Sequence, residues 1–140
     1  MGLIESQICI GDIFHMGTAL VQVSQGRQPC WRLNERFSMP AMARRVQETG
    51  RTGWYYRVLE DGDVTVGDRL VLVERPLPDW SLSRILQVLY RDTDNKSALS
   101  ALADMELLAD SWRSLARKRL ERGGVEDWAQ RLNTPDKSPT

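Results

Sequence analysis

The chain is poor in the residues that build metal centres: its 140 residues include two cysteines, Cys9 and Cys30, and one histidine, His15. A structural zinc site needs clustered Cys and His ligands, and this set is too small and too dispersed to supply one. A hydrolytic Cys–His pair would need His15 to reach Cys30 and a third group to orient its ring. No such group is evident, so a packed or half-exposed histidine is expected. No apolar run approaches the ~20 residues of a membrane-spanning helix. Met1-Gly2-Leu3-Ile4-Glu5 lacks the basic start and apolar core of a secretory signal. The expectation is a cytoplasmic protein with reduced thiols and no membrane partner. Nothing favours a Cys9–Cys30 bridge, although spacing alone leaves it open. Lys plus Arg number 19 and Asp plus Glu number 19, so the global balance gives no support to nucleic acid as a partner. Walker-type phosphate loops and the dinucleotide fingerprint are also missing.

What remains is ordinary globular composition, 41% hydrophobic and 27% charged, in a length that suits one domain or a small domain with an appendage. Residues 8–17 read as two short apolar segments broken at Gly11-Asp12. Ala19 to Ser24 is rich in β-branched residues and reads as a strand, ended by Gly26 and Pro29. A helix is predicted over 39–48, with Ser38 as its cap, Pro40 in its first turn, an apolar stripe of Met39, Met42, Ala43 and Val46, and a stop at Gly50. Strands are predicted over 53–59, 64–66 and 69–74, the last as a well-buried one. Apolar-Gly-Asp-x-apolar occurs twice, at Ile10 to Phe14 and at Val66 to Leu70. It predicts two similar tight corners in a small β-barrel.

Arg75-Pro76-Leu77-Pro78-Asp79 is the clearest boundary, because two prolines end a sheet and stiffen a linker. Beyond it the apolar period changes from two to about 3.6. Ser81 caps a first predicted helix carrying Leu82, Ile85, Leu86 and Leu89. Asp94 or Asn95 caps a second with Ala98, Leu99 and Leu102. A third runs from about Glu106 to Glu121, ends at Gly123-Gly124, and carries Arg117-Lys118-Arg119 as a charge bias toward its C-terminus. The fold class is therefore α+β. A β-barrel portion spans 1–75, a linker 76–80 and a three-helix domain 81–122, with 123–140 a tail that frays from Asn133.

Two groupings carry chemistry. Cys30 follows a Gly/Pro-punctuated loop, Gln25-Gly26-Arg27-Gln28-Pro29, with Arg27 and Arg32 on either side. Guanidinium charge favours the thiolate, the reactive form, although a free cysteine is more often simply packed. Arg27, Arg32, Arg36, Arg44, Arg45, Arg51 and Arg57 crowd the stretch 26–58, offset there only by Glu35 and Glu48. They read equally as a solvated face with helix pairs such as Arg44–Glu48 or as an anion pocket that holds phosphate. Arg51 lies in a Gly-flanked loop whose backbone N–H groups could also face an anion. Tyr55 and Tyr56 could line a pocket for a flat ring, or be core.

Gly11-Asp12, Gln25-Gly26-Arg27-Gln28-Pro29-Cys30, Gly50-Arg51-Thr52-Gly53-Trp54-Tyr55-Tyr56-Arg57-Val58-Leu59 and Val66-Gly67-Asp68 together resemble the second half of a MOSC domain. This is the β-barrel family related to the C-terminal part of molybdenum-cofactor sulfurase. With the helices that follow, the chain looks most like the bacterial YiiM-type branch, in which a three-α-helix domain follows the barrel. The resemblance runs from about Gly2 to Arg119. It implies a molybdenum cofactor of the molybdopterin type, with Cys30 as catalytic residue and as metal ligand or sulfur acceptor. Arg27, Arg51, Tyr55 and Arg57 are the implied cofactor-binding residues. It also carries an association with pyridoxal phosphate binding. The implied activity is reduction of N-hydroxylated bases or related compounds, which needs a small-molecule substrate and a redox partner to supply electrons. A non-catalytic cofactor or sulfur-carrier module and an inactive remnant are the alternatives. The family's upstream strands have no counterpart in this sequence. The expectation is therefore a partial barrel that self-associates through an open sheet edge or depends on a separately supplied segment.

Overall fold

A hairpin starts the sheet: β1 (Ile13–Met16) turns at Gly17-Thr18 into β2 (Ala19–Gly26), with Phe14 opposite Val21 and Met16 opposite Ala19. The computed structural model describes residues 3–28, 30, 32–39 and 41–135. Outside the hairpin, β3 (Trp54–Glu60) pairs with β2 and β4 (Leu70–Glu74) pairs with β1, all antiparallel. The order β3-β2-β1-β4 is that of a Greek key, the fourth strand returning beside the first. The return loop crosses the hairpin tip, where Thr18 N–H donates to the Asp63 carbonyl at 3.0 Å. The sheet does not close into a barrel, so β3 and β4 are both edges.

Two of the strand predictions need correction. Residues 64–66 form no strand, and Val66 is fully exposed. β4 is an exposed edge rather than a buried strand, with Val71 and Val73 more than half exposed. Its apolar content matched a buried strand, but no neighbouring element among the described residues covers it. Arg69 lies just outside it.

The paired Gly-Asp corners are real. In residues 9–12, Gly11 has φ +83° and the Asp12 N–H reaches back to the Cys9 carbonyl at 3.2 Å, while Asp12 Oδ2 accepts the Cys9 N–H at 3.0 Å. In residues 65–68, Gly67 has φ +94°, the Asp68 N–H reaches the Thr65 carbonyl at 3.0 Å, and Asp68 Oδ2 accepts the Thr65 N–H at 2.7 Å. Both are turns that need a positive φ at the third position, where glycine carries no steric penalty. The carboxylate then satisfies the N–H three residues upstream.

Two helices connect β2 to β3. The first, α1 (Arg32–Arg36), has no counterpart in the sequence prediction. The second, α2 (Met42–Thr49), begins later than expected and ends at Gly50 in the left-handed conformation. Ser38 does not cap it: Ala41 is the N-cap, without a side-chain bond, and Pro40 lies outside the described residues. Ala43 is the buried apolar member of its stripe, whereas Met39 is exposed. The carbonyl of Leu77 accepts the Trp80 N–H, and residues 8–10 then run alongside 80–82, with Ile10 N–H on the Trp80 carbonyl and Leu82 N–H on the Ile8 carbonyl.

The three helices past that point follow their local signals closely. Ser81 caps α3 (Leu82–Tyr90) by accepting the Arg84 N–H, and Asn95 caps α4 (Lys96–Ala103) by accepting the Ala98 N–H. The last, α5 (Asp110–Arg122), starts after a turn over residues 105–109 and ends at Gly123. Ile8, Ile10, Phe14, Val21 and Val23 share one core with Leu82, Ile85, Leu89, Leu102, Leu108 and Trp112. The turn before α5 docks on the sheet, where the Ala109 N–H donates to the Ser24 carbonyl at 2.9 Å. Gly26 is packed by the same contact: a Cβ there would stand 2.9 Å from the Trp112 ring.

The expected tail is a packed segment as far as it is described. Glu126 pairs with Arg119, Trp128 meets Tyr90 edge-on, and a short helix, α6 (Ala129–Leu132), buries Leu132. Asn133 and Thr134, expected to fray, bond to Arg44 and Asn34; residues 136–140 lie outside the described residues. Arg119 is thus a buried ion-pair partner, beyond its expected role as a charge near a helix end.

Candidate functional site

Where β2 ends, the chain leaves the sheet through Arg27 and Gln28 and reaches Cys30 at the start of α1. A cleft of about 570 Å³ opens there. One wall is α1 with the residue after it, presenting Leu33, Arg36 and Phe37. The other is α2, presenting Met42 and Val46, and the floor is made by Arg27, Cys30, Arg51 and Thr52. This volume falls within the range of small-molecule sites, and the mixture of apolar wall and few charged groups is typical of them. Cys30 is partly exposed and carries a free thiol. Among the described residues no Asp or Glu lines the cleft. Among the described residues the guanidinium groups of Arg36 and Arg51 meet no carboxylate. Arg27 lies over the Tyr55 ring, 5.8 Å from its centroid, in a cation–π contact, and meets no carboxylate among the described residues.

The loop carrying Arg51 does not offer the backbone cradle expected of it. The Gly53 N–H donates to Glu5 Oε1 at 2.9 Å, the Arg51 N–H to Thr49 Oγ1 at 3.4 Å, and the Gly50 N–H to the carbonyls of Val46 and Gln47. Those three donors are already satisfied, so the Arg51 side chain is the loop's charged group for an anion.

The structure brings Cys30, Arg27 and Arg51 together and sets Tyr55 beside them, half exposed at the rim against Arg27. Arg57 is elsewhere. Its Nη2 donates to the Leu107 carbonyl at 2.9 Å, tying β3 to the turn before α5. Tyr56 packs against the core, edge-on to Phe14 at 6.4 Å, and partial burial pushes the pKa of its hydroxyl up. Arg44 reaches Asn133 Oδ1 at 3.2 Å and does not form the expected pair with Glu48. His15 pairs with Leu20, six residues back along β2 from Gly26. That is about 20 Å of strand from the mouth of the cleft, which excludes a Cys–His pair. Sequence reasoning counted Arg36 among the arginines of a possible anion pocket and Met42 and Val46 in a helix stripe, but it did not foresee that these, with Leu33 and Phe37, wall one cleft. Their only signal was the run of apolar residues among the arginines.

The other thiol is built differently. Cys9 is buried, its Sγ 3.6 Å from the Pro78 carbonyl. Burial pushes its pKa up and the neighbouring Asp12 carboxylate raises it further, with Arg75 opposing. Asp12 is fully buried and takes Arg75 on both oxygens, Nε to Oδ1 at 3.0 Å and Nη2 to Oδ2 at 2.8 Å. Arg75 Nη2 also donates to the Gln7 carbonyl at 2.9 Å. Both cysteines are free, so no bridge joins them.

Comparison with known proteins gives this geometry a family context. A MOSC domain model matches residues 1–71, and a YiiM-like, 3-alpha helix domain model matches residues 80–123. The protein YflK of Bacillus subtilis (strain 168) is 40% identical over 121 residues, which cover 86% of this chain and 55% of YflK. A protein named reductase from Gibberella moniliformis (strain M3125 / FGSC 7600) is 36% identical over 117 residues, 83% of this chain and 21% of that protein. The crystal structure of YiiM from Escherichia coli superposes with a TM-score of 0.88 at 35% identity, covering 95% of this chain and 66% of that one. The chain thus spans about half the length of YflK and about a fifth of the reductase.

Proposed function

The chain belongs to the MOSC family, in its YiiM-type branch, and from that premise we propose that the Cys30 cleft holds a molybdenum cofactor and serves reduction of N-hydroxylated bases or related compounds. The observation that carries this reading is the convergence on one cleft of a free, partly exposed thiol with Arg27, Arg36 and Arg51, which meet no carboxylate among the described residues. The residues fit the group. A soft thiolate suits molybdenum. Arg27, Arg36 and Arg51 suit a phosphate, which guanidinium groups bind through charge-assisted hydrogen bonds. Leu33, Phe37, Met42 and Val46 give a flat ring an apolar wall. Among the described residues no cluster of three or more His, Cys, Asp or Glu side chains could hold an ion unaided. A metal here would arrive with its own ligands, and Cys30 would add one. When bound, the group supplies the redox chemistry. The chain's residues supply binding and orientation. Overall the N–O bond of the substrate breaks, its nitrogen gains one hydrogen and the hydroxyl leaves as water, taking two electrons from a redox partner and two protons from solvent.

No helix among the described residues is long and apolar enough to cross a membrane, and a cytoplasmic site of action is part of the proposal. One observation favours a second reading. The sheet is open, with apolar residues exposed on β3 and β4, which suits a cofactor-holding or sulfur-carrier module that self-associates or pairs with other strands. One experiment decides between them. The chain is completed with the upstream strands of a YiiM-type relative, and wild type is compared with Cys30→Ser for molybdenum content and for reduction of an N-hydroxylated purine. The proposal expects both to be lost in the variant with the fold intact. Metal and turnover unchanged in Cys30→Ser would refute the ligand role, and metal without turnover in wild type would favour the carrier reading.

A further inference from the structure

We infer that the segment 124–135 is a brace that fixes the shape of the Cys30 cleft, and that Asn34 is the positioning residue through which it acts. The inference rests on the cleft being the working site. Neither wall of the cleft is self-supporting. α1 has five residues, too few to be stable alone, and α2 begins at Ala41 without a side-chain cap. Asn34, buried on the back of α1, supplies what both lack. Its Oδ1 accepts the Ala43 N–H at 2.8 Å, capping α2 from the neighbouring helix, and its carbonyl accepts the Met39 N–H at 3.0 Å. One residue therefore joins the wall of Leu33, Arg36 and Phe37 to the wall of Met42 and Val46.

The rest of the Asn34 amide faces the brace. Nδ2 donates to the Leu132 carbonyl at 2.9 Å and to Thr134 Oγ1 at 3.2 Å. The brace is held along its length. Glu126 takes Arg119 of α5 on both oxygens, at 2.9 and 2.6 Å, and Arg119 Nη1 donates to the Leu89 carbonyl at 2.6 Å. Burial works against the Glu126 charge, but Arg119 and the Trp128 indole N–H outweigh it and bring its pKa down to about 2. Trp128 meets Tyr90 edge-on at 5.5 Å, and Arg131 lies over the Tyr90 ring and bonds to Gln47 of α2. Leu132 is almost fully buried. The segment after α5 thus reaches around to hold the cleft walls: the Asn34 amide nitrogen finds its partners in the brace, and the amide oxygen finds its partner in α2.

Cleft shape can be read at Cys30 without metal or turnover. The full chain is alkylated with neutral iodoacetamide and with anionic iodoacetate, and each cysteine is followed by mass spectrometry. Uncompensated arginines draw the anionic reagent, so the iodoacetate-to-iodoacetamide rate ratio at Cys30 reports how they converge, while protection of Cys9 reports that the fold is intact. Asn34→Ala is expected to lower that ratio about threefold with Cys9 still protected. Asn34→Asp keeps the acceptor for Ala43 and loses the donors to the brace, so it should fall between wild type and Asn34→Ala. Glu126→Gln loosens the brace at its far end and should move the ratio in the same direction by less. An unchanged ratio in Asn34→Ala with Cys9 protected overturns the inference. Should Asn34→Ala lose its fold, Glu126→Gln decides: a wild-type ratio there, or Cys9 and Cys30 becoming labelled in parallel, overturns it too. Failure here leaves the molybdenum proposal standing, and failure of that proposal leaves this result unaffected.

Discussion

Cys9 and Cys30 both have arginine nearby, and the two places use it in opposite ways. At Cys9 the arginine is Arg75, locked on both oxygens of a fully buried Asp12, and the thiol is sealed under residues 76–80 with its pKa raised. At Cys30 the cleft arginines include Arg36 and Arg51, which meet no carboxylate among the described residues, and the thiol is partly open. The comparison teaches that an arginine whose charge is cancelled by a buried partner holds structure together. One left uncompensated beside an apolar wall is available to a ligand. Residue type is the same in both; the nearest carboxylate makes the difference.

The largest effect is expected at the sealed site. Asp12→Ala removes the acceptor of the Cys9 N–H and strands Arg75, whose side chain is 34% exposed. Breaking a buried pair from one side typically destabilises by 3–5 kcal/mol, and partial exposure of Arg75 puts this one at about 3 kcal/mol. Denaturant unfolding measures it. A loss of less than about 1 kcal/mol would place the pair among surface salt bridges and break the comparison. The smallest effect is expected at the matching corner, 65–68, where Asp68 makes the same backbone contact in an exposed loop. There Asp68→Ala should cost about 0.5–1 kcal/mol by the same measurement, because the turn bond is lost while no buried charge is left behind. Equal losses at the two corners would mean that the turn, and not the buried carboxylate, carries the stability.

The corners also show what a sequence discloses. Gly-Asp spacing, the Ser81 and Asn95 caps, and the stops at Gly50 and Gly123 are local signals, each satisfied within a few residues, and all were legible. Burial was not. Leu70 to Glu74 reads as core because its residues are apolar, yet whether a strand is covered depends on what lies beside it. Arg57 sits on the predicted strand, opposite Gln22, but its side-chain partner is the carbonyl of Leu107, fifty positions away. The brace was read as a tail for the same reason: Asn34 and Leu132 are 98 positions apart, and neither contact leaves a trace in its own neighbourhood. For the cleft, the sequence singled out Cys30, Arg27 and Arg51. It did not reveal the apolar wall between them, since Leu33, Phe37, Met42 and Val46 converge only when α1 and α2 pack.

The most direct measurement is a side-by-side labelling of the two thiols in the folded chain with iodoacetamide, with and without inorganic phosphate, read by mass spectrometry. Cys30 is predicted to label well ahead of Cys9, and phosphate to slow Cys30 while leaving Cys9 unchanged, because the anion is drawn to the uncompensated arginines of the cleft. Faster labelling of Cys9, or a Cys30 rate indifferent to phosphate, would contradict the account.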